Sequence, residues 1–218
     1  MTINDHHALA TTTGFTAREF RRRAEDHING NPGDFLLYGD YKINPGVEHG
    51  LEGMELKDAA VLVPVVDHGD QATVIFTKRT SSLRKHSGQI AFPGGKLDHE
   101  DESPEIAALR EAEEEIGLAR HFVDIIGRLP SIPVLSGFRI TPVLSTVRPG
   151  FELKLNPDEV ENVFEVPLGF LMDPANHVRE RTTFRDLERN YYAMTYDDWR
   201  IWGITAGIVR SLYERFYE

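Results

Sequence analysis

Arg110-Glu111-Ala112-Glu113-Glu114-Glu115-Ile116-Gly117 crowds four glutamates in front of a glycine that should end a helix. Acids stabilise a helix at its N-terminus and cations at its C-terminus, and like charges four residues apart repel. Stability alone therefore does not account for this stretch. On a wheel of about 100° per residue, Glu115 falls about 40° to one side of Glu111 and Glu114 about 60° to the other. Glu113 lies well away, while Leu109, Ala112 and Ile116 share the opposite half and can face a core. The spacing predicts a cluster of Glu111, Glu114 and Glu115. Such a cluster calls for a positive partner: Lys or Arg from elsewhere would serve, and a hard divalent cation serves better, since Mg²⁺ takes oxygen ligands and is commonly shared with substrate phosphates. The chain has no cysteine and the cluster no histidine, which argues against zinc. Arg110 can orient a neighbouring carboxylate through a charge-assisted pair. Taken alone, the pattern also fits a solvated acidic helix face.

The charge around the cluster is sorted. From Gln71 to Leu97 there is no Asp or Glu, while Lys78, Arg79, Arg84, Lys85 and Lys96 are present. From Asp98 to Glu115 there are nine acids and one base, Arg110. A basic wall that runs straight into an acidic one suits a site for an anion and a cation together. The net charge of −11 speaks against a broad nucleic-acid grip, which needs a basic face.

The elements that must position these groups are legible in outline. Thr16 is placed to cap a helix from Ala17. Residues 29–57 are rich in Gly, Asn, Asp and Pro and read as an irregular connection. The β-branched runs at 59–66 and 72–79 suggest a hairpin around His68-Gly69-Asp70, and residues 81–95 a loop. Ser103 as N-cap, Pro104 at the first position and Gly117 past the end frame the acidic helix. Further strands are expected at 122–129 and 138–147, a short apolar element at 163–171, and a strand pair at 182–184 and 190–196. A last helix is expected from a cap at Asp197 or Asp198, with Ile201, Ile208 and Leu212 inward. The chain divides into an N-terminal helix and irregular extension, 1–57, and a main domain, 58–218. No run of about 18 apolar residues is present, and residues 1–14 lack the apolar core of a signal peptide. A cytoplasmic protein without membrane attachment is expected, and a homodimer is compatible with all of this.

The segment from Gly94 to Leu118 resembles the Nudix box, the signature of hydrolases that cleave nucleoside diphosphates linked to another group. Arg110, Glu111, Glu114, Glu115, Gly117 and Leu118 match without departure. Asp101 stands where a glutamate is usual, and the gap from it to Arg110 is one residue longer. Upstream, Phe76 to Gly95 resembles the extra signature of the coenzyme A pyrophosphatase branch: Thr77, Arg79, Arg84, Gly88 and Phe92-Pro93-Gly94-Gly95 match, and Thr80 replaces the usual Ser or Ala. The resemblance implies an α/β (α+β) fold, an α/β/α sandwich with a mixed sheet and a catalytic loop-helix-loop. It implies metal-dependent hydrolysis of the diphosphate of coenzyme A or its derivatives to 3′,5′-ADP and 4′-phosphopantetheine. Glu111 and Glu115 would hold Mg²⁺ or Mn²⁺, Glu114 would add a ligand or orient water, and a carbonyl near Gly95 would complete the shell. Arg110 would support them. Arg79, Arg84 and Lys85 would meet phosphates, on a loop shaped by Gly88 and Gly94. Glu159 and Glu161, after Asn156-Pro157-Asp158, are candidates for the general base. Two other readings share these residues. A Nudix hydrolase of ADP-ribose, NADH or a sugar nucleotide would keep the carboxylates. A non-catalytic nucleotide sensor would be expected to have lost one of them.

Overall fold

The computed structural model describes residues 14–30, 33–81, 88–184 and 187–218. Helix α1 (Ala17–Asn29) starts where the sequence places it: Thr16 Oγ1 accepts the Glu19 N–H at 3.2 Å, and Phe20 and Ala24 are buried. The connection that follows carries two 3₁₀ turns and the four-residue helix α2 (Gly39–Lys42). Strands β1 (Lys57–Asp67) and β2 (Ala72–Arg79) form the expected hairpin. Of the expected loop at 81–95, residues 82–87 lie outside the described residues, and 88–95 are less loop-like than expected. Two short strands, β3 (Ile90–Ala91) and β4 (Gly94–Lys96), pair with β2 and β1. Their shortness hides them from any pattern of alternating apolar residues. Helix α3 (Pro104–Ile116) is followed by β5 (Val123–Arg128), β6 (Ile132–Val134), β7 (Phe138–Val147) and β8 (Val160–Pro167). The short helix α4 (Leu168–Leu171) leads to β9 (Val178–Phe184), β10 (Leu187–Tyr196), β11 (Trp199–Trp202) and α5 (Ile204–Phe216).

The main sheet runs β3-β2-β1-β7-β5, with β4 also on β1, β6 on β7 and β8 on β2. It is mixed: β1 and β7 are parallel from Lys57↔Phe138 to Val66↔Val147, and the other pairings are antiparallel. Successive side chains of a strand point to opposite faces, and β1 uses both. Ala60 and Leu62 pack with Ala108, Ala112 and Ile116 of α3. Val63 and Val65 pack with Phe20 of α1 and with Ile208 and Leu212 of α5. The result is an α/β/α sandwich. The strands β9, β10 and β11 form a separate antiparallel sheet.

The start of the last helix differs from expectation. Asp197 and Asp198 do not cap it; they make the two-residue turn between β10 and β11, with Tyr196 opposite Trp199. Asp197 takes φ 50°, a left-handed conformation that Asp tolerates better than most residues and that tight hairpin turns use. The helix begins at Ile204, after Gly203 at φ 62°. Among the described residues no helix is long and apolar enough to cross a membrane.

Candidate active site

The acidic helix is framed as its sequence dictates. Ser103 Oγ accepts the Ile106 N–H at 3.3 Å, and Pro104 occupies the first position, where a missing N–H costs nothing. Gly117, at φ 70°, donates its N–H to Glu113 O at 3.0 Å and stops the helix, a conformation glycine adopts at little cost. Burial of Ala107, Ala108, Ala112 and Ile116 fixes the rotation of α3 about its axis. Glu115 is carried inward and is 2% exposed.

The last carbonyls of α3 are taken by the chain that follows β7. Lys154 N–H donates to Ile116 O at 2.8 Å, and Asn156 N–H donates to Glu115 O at 2.9 Å. Asn156 O in turn accepts the N–H groups of Glu159 and Val160 at 3.1 and 2.9 Å. Thr80 N–H, just past β2, donates to Glu159 O at 2.9 Å. Glu159 is thus held between the helix end and the end of β2. Ligand oxygens of Glu111, Glu115 and Glu159 lie within 4.8 Å of one another.

This differs from the cluster that the wheel predicts. Glu159 is the third member, and Glu114 stands apart. Its side chain is 56% exposed, and its Oε2 accepts from Arg110 Nη1 at 2.8 Å. A helical wheel sees only the helix, so a carboxylate brought in by a loop more than forty residues after the helix end at Ile116 is invisible to it. Glu161 points elsewhere, to Lys78 Nζ at 2.7 Å.

Arg110 joins the helix to its approach. Its Nη1 donates to Glu111 Oε1 at 3.1 Å as well as to Glu114, its Nη2 to Lys96 O at 3.2 Å, and its Nε and Nη2 to the two oxygens of Asp101 at 3.2 and 2.9 Å. Asp101, shorter than the usual glutamate, reaches Arg110 nonetheless, and this contact holds its carboxyl below the usual carboxylate range.

Two glycines let the backbone come this close. A Cβ on Gly95 would stand 2.5 Å from both Oε1 and Oε2 of Glu111. Gly94 sits at φ 151°, and a Cβ there would meet Val61 Cα at 2.6 Å; its N–H donates to Glu115 Oε2 at 3.1 Å. Arg79 Nη1 faces the other oxygen of Glu115 at 3.4 Å. Gly88, at φ 66°, donates its N–H to Arg79 O at 3.1 Å. The predicted phosphate contacts Arg84 and Lys85 lie outside the described residues.

Burial is the main influence on the inner carboxyls. It pushes the Glu115 carboxyl up to about 7, against the Gly94 N–H and Arg79 and with help from Glu111 and Glu159. It raises Glu111 as well, against Arg110. Three converging carboxylates, Glu111 and Glu115 with raised proton affinity, and no sulfur or imidazole among them, are the donor set of a hard divalent cation.

The NUDIX domain profile matches residues 56–187. The chain belongs to the Nudix family. Relatives of this Nudix chain include the uncharacterized Nudix hydrolase NudL of Cronobacter sakazakii, 40% identical over 156 residues, which are 72% of this chain and 81% of that protein. NudL of Escherichia coli O139:H28 is 38% identical over 179 residues, 82% of this chain and 92% of its own. Among solved structures, a MutT/nudix family protein from Enterococcus faecalis is similar in fold, with a TM-score of 0.50 and 19% identity over 75% of this chain and 63% of that one. The protein is a Nudix hydrolase acting on nucleoside diphosphate derivatives, a class that generally uses divalent metals.

Proposed function

We propose that this Nudix hydrolase cleaves the diphosphate of coenzyme A or a close derivative, giving 3′,5′-ADP and 4′-phosphopantetheine. The observation that carries the reading is the position of Arg79. The upstream signature that singles out the coenzyme A branch delivers this cation to within 3.4 Å of Glu115. A cation thereby stands directly against the carboxylate cluster, which suits an anionic diphosphate beside a metal ion.

In this reading Glu111, Glu115 and Glu159 hold Mg²⁺ or Mn²⁺, and a carbonyl near Gly95 adds a ligand. The cation, when bound, neutralises the diphosphate and lowers the proton affinity of a coordinated water. The remaining work belongs to the chain. Arg110 fixes Glu111 and Glu114 relative to each other, and Asp101 fixes Arg110. Glu114, exposed and restrained by Arg110, orients the attacking water and takes its proton; Glu159, a candidate for that role in the sequence, serves here as a ligand. Arg79, with Arg84 and Lys85, offsets the charge of the phosphates. Gly88 turns the chain back onto Arg79, and Gly94 lets β4 lie close against β1.

The test is hydrolysis of coenzyme A beside dephospho-coenzyme A, ADP-ribose and NADH, with Mg²⁺ or Mn²⁺ and with chelator, products being separated chromatographically. Coenzyme A should be turned over fastest, and only with metal. A preference for ADP-ribose or NADH would overturn the substrate assignment while leaving the carboxylate site intact.

A further inference from the structure

A second cavity, of about 280 Å³, lies on the other side of the sheet from α3. None of the residues placed in the hydrolytic site lines it. Its walls come from the 35–47 connection, from β10 and β11 and from α5, with Phe35, Tyr41, Tyr191, Trp202 and Ile208 among them. Much of this wall lies outside the NUDIX match at 56–187. The cavity is therefore built largely from residues beyond that match.

An apolar cavity of about 150 Å³ is enough to take up benzene, so this one has room for a ring and a short arm. Ligand pockets of this kind pair an apolar, aromatic lining with a few placed polar groups. Two polar atoms of this lining are without partners among the described residues. Arg189 lines the cavity, and its Nε is buried with no hydrogen-bond partner among the described residues. The Asn190 Oδ1, also at the lining, is buried and unpartnered as well. Leaving such groups unpaired is costly, most of all for a charged group. Arg215 also contributes to the lining, but its guanidinium lies over the Tyr38 ring at 3.6 Å. Asp40, the acid of the lining, already accepts the Tyr192 N–H at 3.2 Å. The cation with an unused donor is Arg189, and the acceptor it lacks is best supplied by an anion carried on a flat apolar body.

We propose that this cavity is a second small-molecule site, separate from the hydrolytic centre, for a compact aromatic carboxylate, with Arg189 as its anchor. The chain has two tryptophans, so in a Trp199→Phe background Trp202, which lines the cavity, is the one tryptophan reporter. Phenylacetate, added to the full chain, should change Trp202 emission saturably, and the neutral phenylacetamide should bind at least about tenfold more weakly, the scale of one charge-assisted hydrogen bond. Arg189→Met should remove that difference. Arg189→Lys, which keeps the charge but not the Nε, should restore only part of it. Circular dichroism and the melting temperature check that each variant is folded. Saturating ADP with Mg²⁺ should leave the phenylacetate titration unmoved. Equal binding of acid and amide, or no binding at millimolar concentration, would overturn the aromatic-acid site. Displacement by ADP would overturn its separation from the hydrolytic centre.

Discussion

Glu111 and Glu115 sit one helical turn apart and carry different burdens. Glu115 is 2% exposed with its carboxyl raised to about 7, so its charge is costly before any cation arrives. A carboxyl whose proton affinity is higher in the folded chain than in the unfolded one stabilises the fold below about pH 4.5, and that stabilisation is lost as pH rises through about 7. Glu115→Gln is therefore expected to raise the melting temperature in chelator at pH 8, by roughly 1–3 kcal/mol of stability, and to flatten its decline with pH. The same variant should lose turnover by about 100-fold or more. A melting curve and a rate measured on one preparation check both. Arg110 acts through others: it touches Glu111, Glu114 and Asp101 together. Arg110→Lys cannot reproduce that fork and should lower kcat about 10- to 100-fold, the usual scale for groups that orient metal ligands. The apparent metal affinity, read by titrating Mn²⁺ into the reaction, should fall with it.

At the scale of elements, neighbouring glycines do different jobs. Gly94→Ala sets a methyl against the β1 backbone at φ 151°, a clash with no flexible partner to yield. It should lower stability by about 2–4 kcal/mol in denaturant unfolding. Gly95→Ala meets only the movable end of Glu111. It should cost less than about 1 kcal/mol of stability and yet weaken Mn²⁺ activation about tenfold or more, because the displaced group is a carboxylate of the cluster. How far the sequence reveals these elements depends on how local their causes are. Ser103, Pro104 and Gly117 frame α3 with signals within a few residues, and the hairpin of β1 and β2 follows from apolar runs around a turn. The strands β3 and β4 are too short to show a pattern and exist because β2 and β1 offer them edges. Asp197-Asp198 reads equally as a helix cap or a hairpin turn, and pairing of Tyr196 with Trp199 decides it. Glu159 is recognisable as a loop acid beside the site in sequence logic, but its place in the cluster depends on bonds from Thr80 and Asn156 that no local pattern encodes.

For the whole molecule, the acidic cluster makes metal binding and folding the same question. Mg²⁺ at about 100 times its dissociation constant should add about 2.7 kcal/mol, which for a chain of this size raises the melting temperature by roughly 5–10 °C. Calorimetry with Mg²⁺, and with the same ionic strength of NaCl, separates this from screening; an equal rise with both would remove the specific cation site. The bonds from Lys154 and Asn156 to the last carbonyls of α3 bear on how such a protein can be recombined with its relatives. Surface connections usually tolerate changes of length and can be exchanged freely between homologues. Here the stretch from 148 to 160 is measured against the helix end at one point and against β2 at another. A chimera that takes this connection from one parent and α3 from another would shift Glu159 by however much the two lengths disagree. Crossover points for shuffling belong before Pro104 or after Pro167, so that helix, connection and cluster are inherited as a unit.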